Sequence, residues 1–245
     1  MEQSPYYRRG MLKRINRLSA FFRISFDGRN PAQGNFPGDG TIEPLAKWGL
    51  CRHADPMNSA VQPHFLSVED YLTEEQLGDI KHDYIAGQVY AMEGASRGHN
   101  RLSGRLVSKL EAHLGSGPCT PFIGDMKVRL QVRQGKVFYY PDVVVTCDPK
   151  DTEEYFLRFP KLIIEVLSES TERLDRGEKM QNYLSLASLE EYVLVAQDQP
   201  EITIHRRRNN WSPEIIRGWE GVFQLESVNL QMTLAALYEN VLVRE

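Results

Sequence analysis

Cysteine is scarce in this chain of 245 residues: Cys51, Cys119 and Cys147 make up the whole set, with no C-x-x-C pair. An odd, widely spaced trio argues against a disulfide framework and against a structural zinc site, and it suits a reducing cytosol. Long apolar runs are missing too. No stretch approaches the roughly 18–20 residues that a membrane span needs, and Arg8-Arg9 is not followed by the apolar segment of an export signal. These absences predict a cytoplasmic protein without a membrane partner. Positive charge is not in excess: 29 Lys and Arg face 33 Asp and Glu, a net charge of −4, so no global field advertises nucleic acid. No internal repeat or low-complexity tract occurs. Gly94-Ala95-Ser96 lacks phosphate-loop spacing, and Ser168 and Ser170 have no His and Asp arranged to activate them.

What is present is the composition of a globular protein, long enough to bury a full core in one or two domains. Residues 1–63 stand apart. They hold six of the 13 prolines and six of the 18 glycines, and residues 1–64 carry nine Lys and Arg against five Asp and Glu. Met11 to Phe26 is a basic, weakly amphipathic stretch that suits a membrane or nucleic-acid surface, but the composition favours a poorly ordered extension. One domain is expected for residues 64–245.

That region opens with Ser67-Val68-Glu69-Asp70, a capping box for a helix to about Leu77. Asp83 to Met92 alternates and predicts a hairpin turning at Ala86-Gly87. Leu102, Leu106, Val107, Leu110 and Leu114 form a helical stripe over Arg97 to Leu114, stopped by Gly115. Strands are expected at 121–132, 136–147 and 161–167, then a helix over 172–187. Further strands at 190–197, 201–207 and 213–217 precede a short helix near 233–241. The order implies an α/β layer with a mixed sheet.

Two lone acids sit in apolar strand-like runs: Asp142 in Tyr139-Tyr140-Pro141-Asp142-Val143-Val144-Val145, and Glu165 in Leu162-Ile163-Ile164-Glu165-Val166-Leu167. A buried carboxylate is costly unless it is paired, hydrogen-bonded or bound to a metal. If the two strands pair, opposed Cβ atoms lie about 4.5–5.5 Å apart, and a divalent cation between the acids removes their repulsion. Oxygen ligation by one or two carboxylates plus substrate phosphate is the habit of Mg²⁺. The spacing is equally compatible with one acid reaching solvent and the other held by backbone amides. Asp175, Lys179 and Tyr183 follow at i, i+4 and i+8, one stripe of a helix whose lysine could reach back to the acids. A solvated ion pair beside a half-buried tyrosine is the competing reading.

Residues from about 66 to 240 resemble the Uma-two family of restriction-type endonucleases, within the PD-(D/E)xK nuclease superfamily. The resemblance runs through Lys81-His82-Asp83-Tyr84-Ile85-Ala86-Gly87-Gln88-Val89-Tyr90-Ala91-Met92, Gly94-Ala95-Ser96, His99-Asn100, Gly124-Asp125-Met126-Lys127-Val128 and Tyr140-Pro141-Asp142-Val143. It continues through Glu165-Val166-Leu167-Ser168, Thr171, Asp175, Lys179, Tyr183 and Glu191-Tyr192. It implies a restriction-endonuclease-like αβββαβ core with a mixed central sheet, and metal-dependent hydrolysis of DNA phosphodiester bonds. Asp142 matches the first acid and Glu165 the second. Asp83 matches a position, usually glutamate, that completes a Mg²⁺ (or Mn²⁺) site, with the Val166 carbonyl as a further ligand. The chain departs from the pattern where Leu167 occupies the usual lysine position and where Gln88 stands in place of a frequent acid. Lys179, held by Asp175, is the natural substitute, with Tyr183 packing against it. The missing lysine and the acidic net charge also fit an alternative: a degenerate nuclease fold that binds nucleic acid or a protein partner without cutting.

Weaker candidates remain. Asp125 and Lys127 alternate along a predicted strand and either face the cleft or form an edge salt bridge. His99, at a helix start, suits a capping or structural role better than contact with phosphate or action as a base. Arg206-Arg207-Arg208 either touches a DNA backbone through charge or is a solvated run. Carboxylate-pair glycoside hydrolysis lacks aromatic sugar platforms. Cutting both strands of a duplex is easier for a symmetric homodimer.

Overall fold

The computed structural model describes residues 65–133 and 135–241, so the expectation for residues 1–63 lies outside the described residues, as does Cys51. Ser67 caps α1 (Val68–Leu77) by accepting from the Asp70 amide, as its sequence predicts. β1 (His82–Ile85) and β2 (Gln88–Ala91) form the expected hairpin. Its two turn residues, Ala86 (φ 50°) and Gly87 (φ 100°), both take positive φ, the backbone that matches the twist of a two-residue hairpin. α2 (Arg97–Leu114) begins at the Ser96 cap and stops at Gly115, whose φ of 52° favours glycine.

The next two predicted strands each break in the middle. Residues 121–132 divide into β3 (Thr120–Ile123) and β4 (Lys127–Val132). Residues 136–147 divide into β5 (Gly135–Tyr139) and β6 (Val143–Thr146). β4 pairs with β5 in one sheet and β3 with β6 in another, so the chain changes sheets at 124–126 and again at 140–142. The two crossings lie side by side, with the Gly124 amide donating to the Asp142 carbonyl at 3.0 Å. Pro141 cannot give a ladder hydrogen bond, which helps to end β5. Gly124-Asp125 and Pro141 mark the breaks, but such residues fit a bulge within one strand as well as a crossing between sheets.

The first sheet runs β2-β1-β5-β4-β7, with β7 at Phe156–Leu157. The second runs β11-β10-β9-β8-β6-β3, where β8 is Pro160–Val166, β9 Glu191–Val195, β10 Glu201–Arg206 and β11 Pro213–Arg217. β8 and β9 are parallel and their neighbours antiparallel, so this sheet is mixed. The expected helix over 172–187 is two pieces, α3 (Glu172–Asp175) and α4 (Glu178–Leu184). Gly177 separates them in a non-helical conformation, and a Cβ there would fall 2.8 Å from the Arg173 carbonyl oxygen. Taken in order, α2, β3, β6, β8, α3–α4 and β9 form the αβββαβ core, and the β4–β5 hairpin is inserted between its first two strands.

Strand parity sorts the second sheet's side chains. Val143, Val145, Leu162, Ile164, Val193 and Ile204 face one core beneath α2, α5 (Leu234–Tyr238) and a hairpin, β12 (Val222–Leu225) and β13 (Leu230–Thr233), that sequence reading did not anticipate. Val144, Ile163, Leu167, Tyr192 and Leu194 face the other, closed by Tyr183 on α4 and by Val128, Val137 and Tyr139 of the first sheet. α1 covers that sheet's far side through Tyr71, Tyr84, Phe138 and Phe156.

Two expectations are corrected. Cys119 and Cys147 form a disulfide, 28 residues apart, which spacing argued against. The β3–β6 ladder ends with Thr120 opposite Thr146, so the next step along both strands sets the two cysteines face to face. The Arg206–Arg208 run is solvated only in part: Arg207 and Arg208 are exposed, whereas Arg206 is buried, and all three are engaged within the chain. Arg206 is buried against Glu191 and also pairs with Glu214; Arg207 donates to the Leu186 and Leu189 carbonyls, and Arg208 pairs with Glu226. Glu191, 1% exposed, further accepts from the Glu226 and Ser227 amides and the Ser227 hydroxyl, tying β9 to the β12–β13 hairpin. Removing one partner of such a pair strands a buried charge. Glu191→Ala is therefore expected to cost about 3–5 kcal/mol in urea unfolding, whereas a solvated pair would cost under about 1 kcal/mol.

Candidate active site

β6 and β8 run antiparallel with Val143 opposite Ile164, so one step further Asp142 and Glu165 stand together at the end of the sheet. Each carboxylate takes a backbone amide from the other's strand. The Asp142 amide donates to Glu165 Oε2 at 3.1 Å, and the Val166 amide to Asp142 Oδ2 at 2.7 Å. Asp142 therefore lies in the bend just before β6 rather than inside a strand, where its carboxylate is partly open. Glu165 is 2% exposed.

α4 brings Lys179 across this pair. Its Nζ lies 2.9 Å from Glu165 Oε1 and 3.6 Å from Asp175 Oδ1, and 5.7 Å from the Tyr139 ring centroid. The break at Gly177 does not separate the three residues that sequence spacing placed on one stripe. Asp175 is buried on α3, its carbonyl accepting from the Tyr192 hydroxyl. Asp83 enters from β1, where Oδ1 accepts the Tyr140 amide at 3.1 Å, and it lies within electrostatic reach of Lys179. His99 reaches in from the first turn of α2, with Nε2 3.0 Å from Asp142 Oδ2. Its backbone amide also meets the Ser96 cap, so this histidine joins helix cap to site.

The charges do not balance. Asp83, Asp142, Glu165 and Asp175 face a single lysine, a formal excess of three negative charges when all four are ionised. Burial raises Glu165 well above the ordinary carboxylate range; Lys179 opposes this, while Asp175 and Asp142 add to it. Burial also raises Asp175 and Asp83 against the pull of Lys179. For Lys179, burial disfavours the charged form, but Glu165, Asp83 and Asp175 outweigh it and hold the lysine above its ordinary range. The raised carboxylates reflect burial first and the crowding of negative charge second, beside a lysine that the same acids hold charged.

Tyr183 is fully buried beneath this cluster, flanked by Tyr139 and Tyr192, and its hydroxyl has no partner. Glu165 Oε1 likewise lacks a directed hydrogen bond, its contact with Lys179 being an ion pair. A buried unsatisfied hydroxyl carries a desolvation cost and gives nothing back. Tyr183→Phe should leave stability unchanged or raise it by up to about 1 kcal/mol in thermal melts, and a loss above that would show that the hydroxyl has a partner.

Asp125 and Lys127 do not share a strand face. Asp125 lies exposed in the bend before β4 and pairs with Lys81. Lys127 is buried on the α1 side of the first sheet, donating to the Tyr140 hydroxyl at 3.0 Å, which in turn donates to Glu75. Its neighbour Val128 faces the other core, so parity turns Lys127 away from the acids. Sequence reading missed Glu75 and gave Tyr140, though part of a motif, no role of its own. Glu75 also accepts the His82 amide, so this chain of contacts braces both neighbours of the site, β1 at Asp83 and the bend at Tyr140. Only the pairing of β1 with β5 could have flagged it.

Among the described residues no three His, Cys, Asp or Glu side chains converge closely enough to hold a metal by themselves. No described helix is long and apolar enough to cross a membrane.

Residues 68–236 match the Uma2 family, described as "Putative restriction endonuclease". Two relatives come from Synechocystis sp. (strain ATCC 27184 / PCC 6803 / Kazusa). Uncharacterized protein slr1290 is 36% identical over 179 residues, 72% of this chain and 93% of the relative. Uncharacterized protein sll1609 is 34% identical over 135 residues, 54% of this chain and 75% of the relative. A solved structure, described as a putative nuclease belonging to DUF820 from Anabaena variabilis ATCC 29413, superposes with a TM-score of 0.57 at 15% identity. It covers 71% of this chain and 98% of that one, a likeness of fold. By the extent of the family match and the identity to slr1290, the chain belongs to the Uma2 family of restriction-endonuclease-like proteins.

Proposed function

We propose that the protein is a metal-dependent endonuclease of the PD-(D/E)xK type that hydrolyses DNA phosphodiester bonds at the Asp142–Glu165–Lys179 cluster. The observation that carries this reading is the cross-linked acid pair, each carboxylate bonded to the other's strand, with Lys179 2.9 Å from Glu165. Oxygen donors alone fit Mg²⁺, or Mn²⁺, better than a soft metal. With two carboxylates supplied, backbone, water and a substrate phosphate would complete the shell. The Val166 carbonyl suits a third place: continuing the β6–β8 register sets Pro141 opposite it, and proline has no amide hydrogen to offer. Asp83 would act on the site through its charge or through water. A divalent cation, when bound, lowers the pKa of a water and neutralises charge on the phosphate. It would also offset the Asp175 and Asp142 charges that add to the rise burial imposes on Glu165.

Within this reading, Lys179 orients the attacking water and offsets charge on the phosphate oxygens, the electrostatic positioning that such reactions rely on. Asp175 holds the lysine, and His99 fixes the Asp142 carboxylate. The same reading places the protein in the cytoplasm with its DNA substrate, although the Cys119–Cys147 bond counts against a reducing compartment, and cutting both strands favours a homodimer. One observation favours the non-cleaving reading: Leu167 stands where the superfamily pattern places its lysine.

Supercoiled plasmid separates the two. With Mg²⁺ or Mn²⁺ the purified protein is expected to nick or linearise it, and with EDTA to leave it intact. Inert plasmid with every divalent metal, together with retarded DNA migration, would establish the binding module instead.

A further inference from the structure

The solvent face of α2 carries Arg97, Arg101, Arg105 and Lys109, one every four residues, and the helix has no acidic side chain before Glu111. At 1.5 Å per residue the cations follow one another at about 6 Å intervals over about 18 Å. In a chain of net charge −4, this helix alone carries four Lys and Arg against one Glu. Its opposite face, Leu102, Leu106 and Leu110, is wholly buried, which fixes the basic row on a rigid support. Arg101, Arg105, Ser108 and Lys109 line an open groove of about 460 Å³ with Glu239. Glu239 pairs with Arg105, which also donates to the Ala236 carbonyl, while Arg97, Arg101 and Lys109 are exposed. The helix starts at the site itself, since its first turn supplies His99 to Asp142.

We infer that this row is a docking surface for the phosphate backbone of duplex DNA flanking the bond that is cut, holding the duplex by charge without reading sequence. The inference rests on DNA being the substrate. Regular cations on a straight rigid helix match a polyanion of regular charge spacing, and an acidic protein segment would not require that repeat. Contacts of this kind release counterions, so affinity falls with salt by close to one unit of log–log slope for each phosphate neutralised.

The test measures binding apart from cleavage: fluorescence anisotropy of a 30-base-pair duplex in EDTA across NaCl concentrations. In Arg97→Ala/Arg101→Ala/Lys109→Ala, affinity at 0.1 M NaCl is expected to fall about 10-fold or more, and the salt slope to drop by about 1 to 3, with an unchanged melting temperature. Glu239→Gln, which releases Arg105, should tighten binding. Wild-type affinity and slope in the triple variant, or no binding of the duplex by the wild type, would overturn the inference, as would tighter binding of RNA than of the duplex. If the variants behave as expected but plasmid stays uncut with every metal, the docking surface stands and the catalytic reading fails.

Discussion

Lys179→Met is expected to lower plasmid cleavage by about 10²–10³-fold, the cost of removing one preorganised charge from a transition state. The same variant has a signature in stability. Lys179 is the partner that lowers the proton affinity of Glu165 and Asp175 in the folded protein. Without it the native state retains protons on these acids, over a pH range that runs upward from their ordinary values near 4, where the unfolded chain has released them. The native state then binds more protons than the unfolded state, so stability falls as pH rises through that range. Lys179→Met should therefore melt at distinctly higher temperature at pH 5 than at pH 8, with a steeper dependence than wild type. At the alkaline end the order reverses. The folded lysine is raised above its ordinary 10.5, so its stabilising contribution is complete below that value and is lost as pH climbs beyond it. That alkaline loss belongs to the wild type alone. A variant that cut normally would show that the lysine on α4 does not replace the one missing at Leu167.

Asp142→Asn is expected to reduce cleavage on the order of 10³-fold, since a lost metal ligand removes several kcal/mol of charge stabilisation at 1.36 kcal/mol per decade. The substitution keeps an oxygen to accept the Val166 amide, and Asp142 is not deeply buried, so the fold should survive and the melting temperature stay near wild type. Removing one of the crowded negative charges should also let Glu165 ionise more readily, because Asp142 contributes to its rise. The variant thus separates metal binding from folding: a large activity loss on an intact fold supports a ligand role, and parallel losses of both would reduce Asp142 to a structural acid.

Much of this was legible in the chain, and its gaps have physical causes. The capping box at Ser67, the Ala86-Gly87 turn and the stripe ending at Gly115 are local signals read by local chemistry, and each formed as expected. Asp142 and Glu165 could be named because an acid in an apolar run conflicts with its surroundings, and Lys179 because it follows Asp175 at i+4 on the helix after Glu165. Where the chain changes sheets was not legible, because Gly124-Asp125 and Pro141 fit a bulge inside one strand as well as a crossing between sheets. The Cys119–Cys147 bond depends on β3–β6 register, a property of two strands that neither possesses alone. Lys127 was misjudged for the same reason: its facing followed from where β4 restarts after Gly124-Asp125-Met126. Arg206 looked like a surface charge because its four partner groups arrive from β9, β11, β12 and the turn after β12.

The central claim is that Asp142 and Glu165 share a divalent cation. Crystals soaked in Mn²⁺ and measured at the manganese absorption edge test it most directly. The account predicts an anomalous peak within coordination distance of both carboxylates, absent from Asp142→Asn crystals treated alike. A fully soaked crystal with no peak between the two acids, and Lys179 still against Glu165, would contradict it.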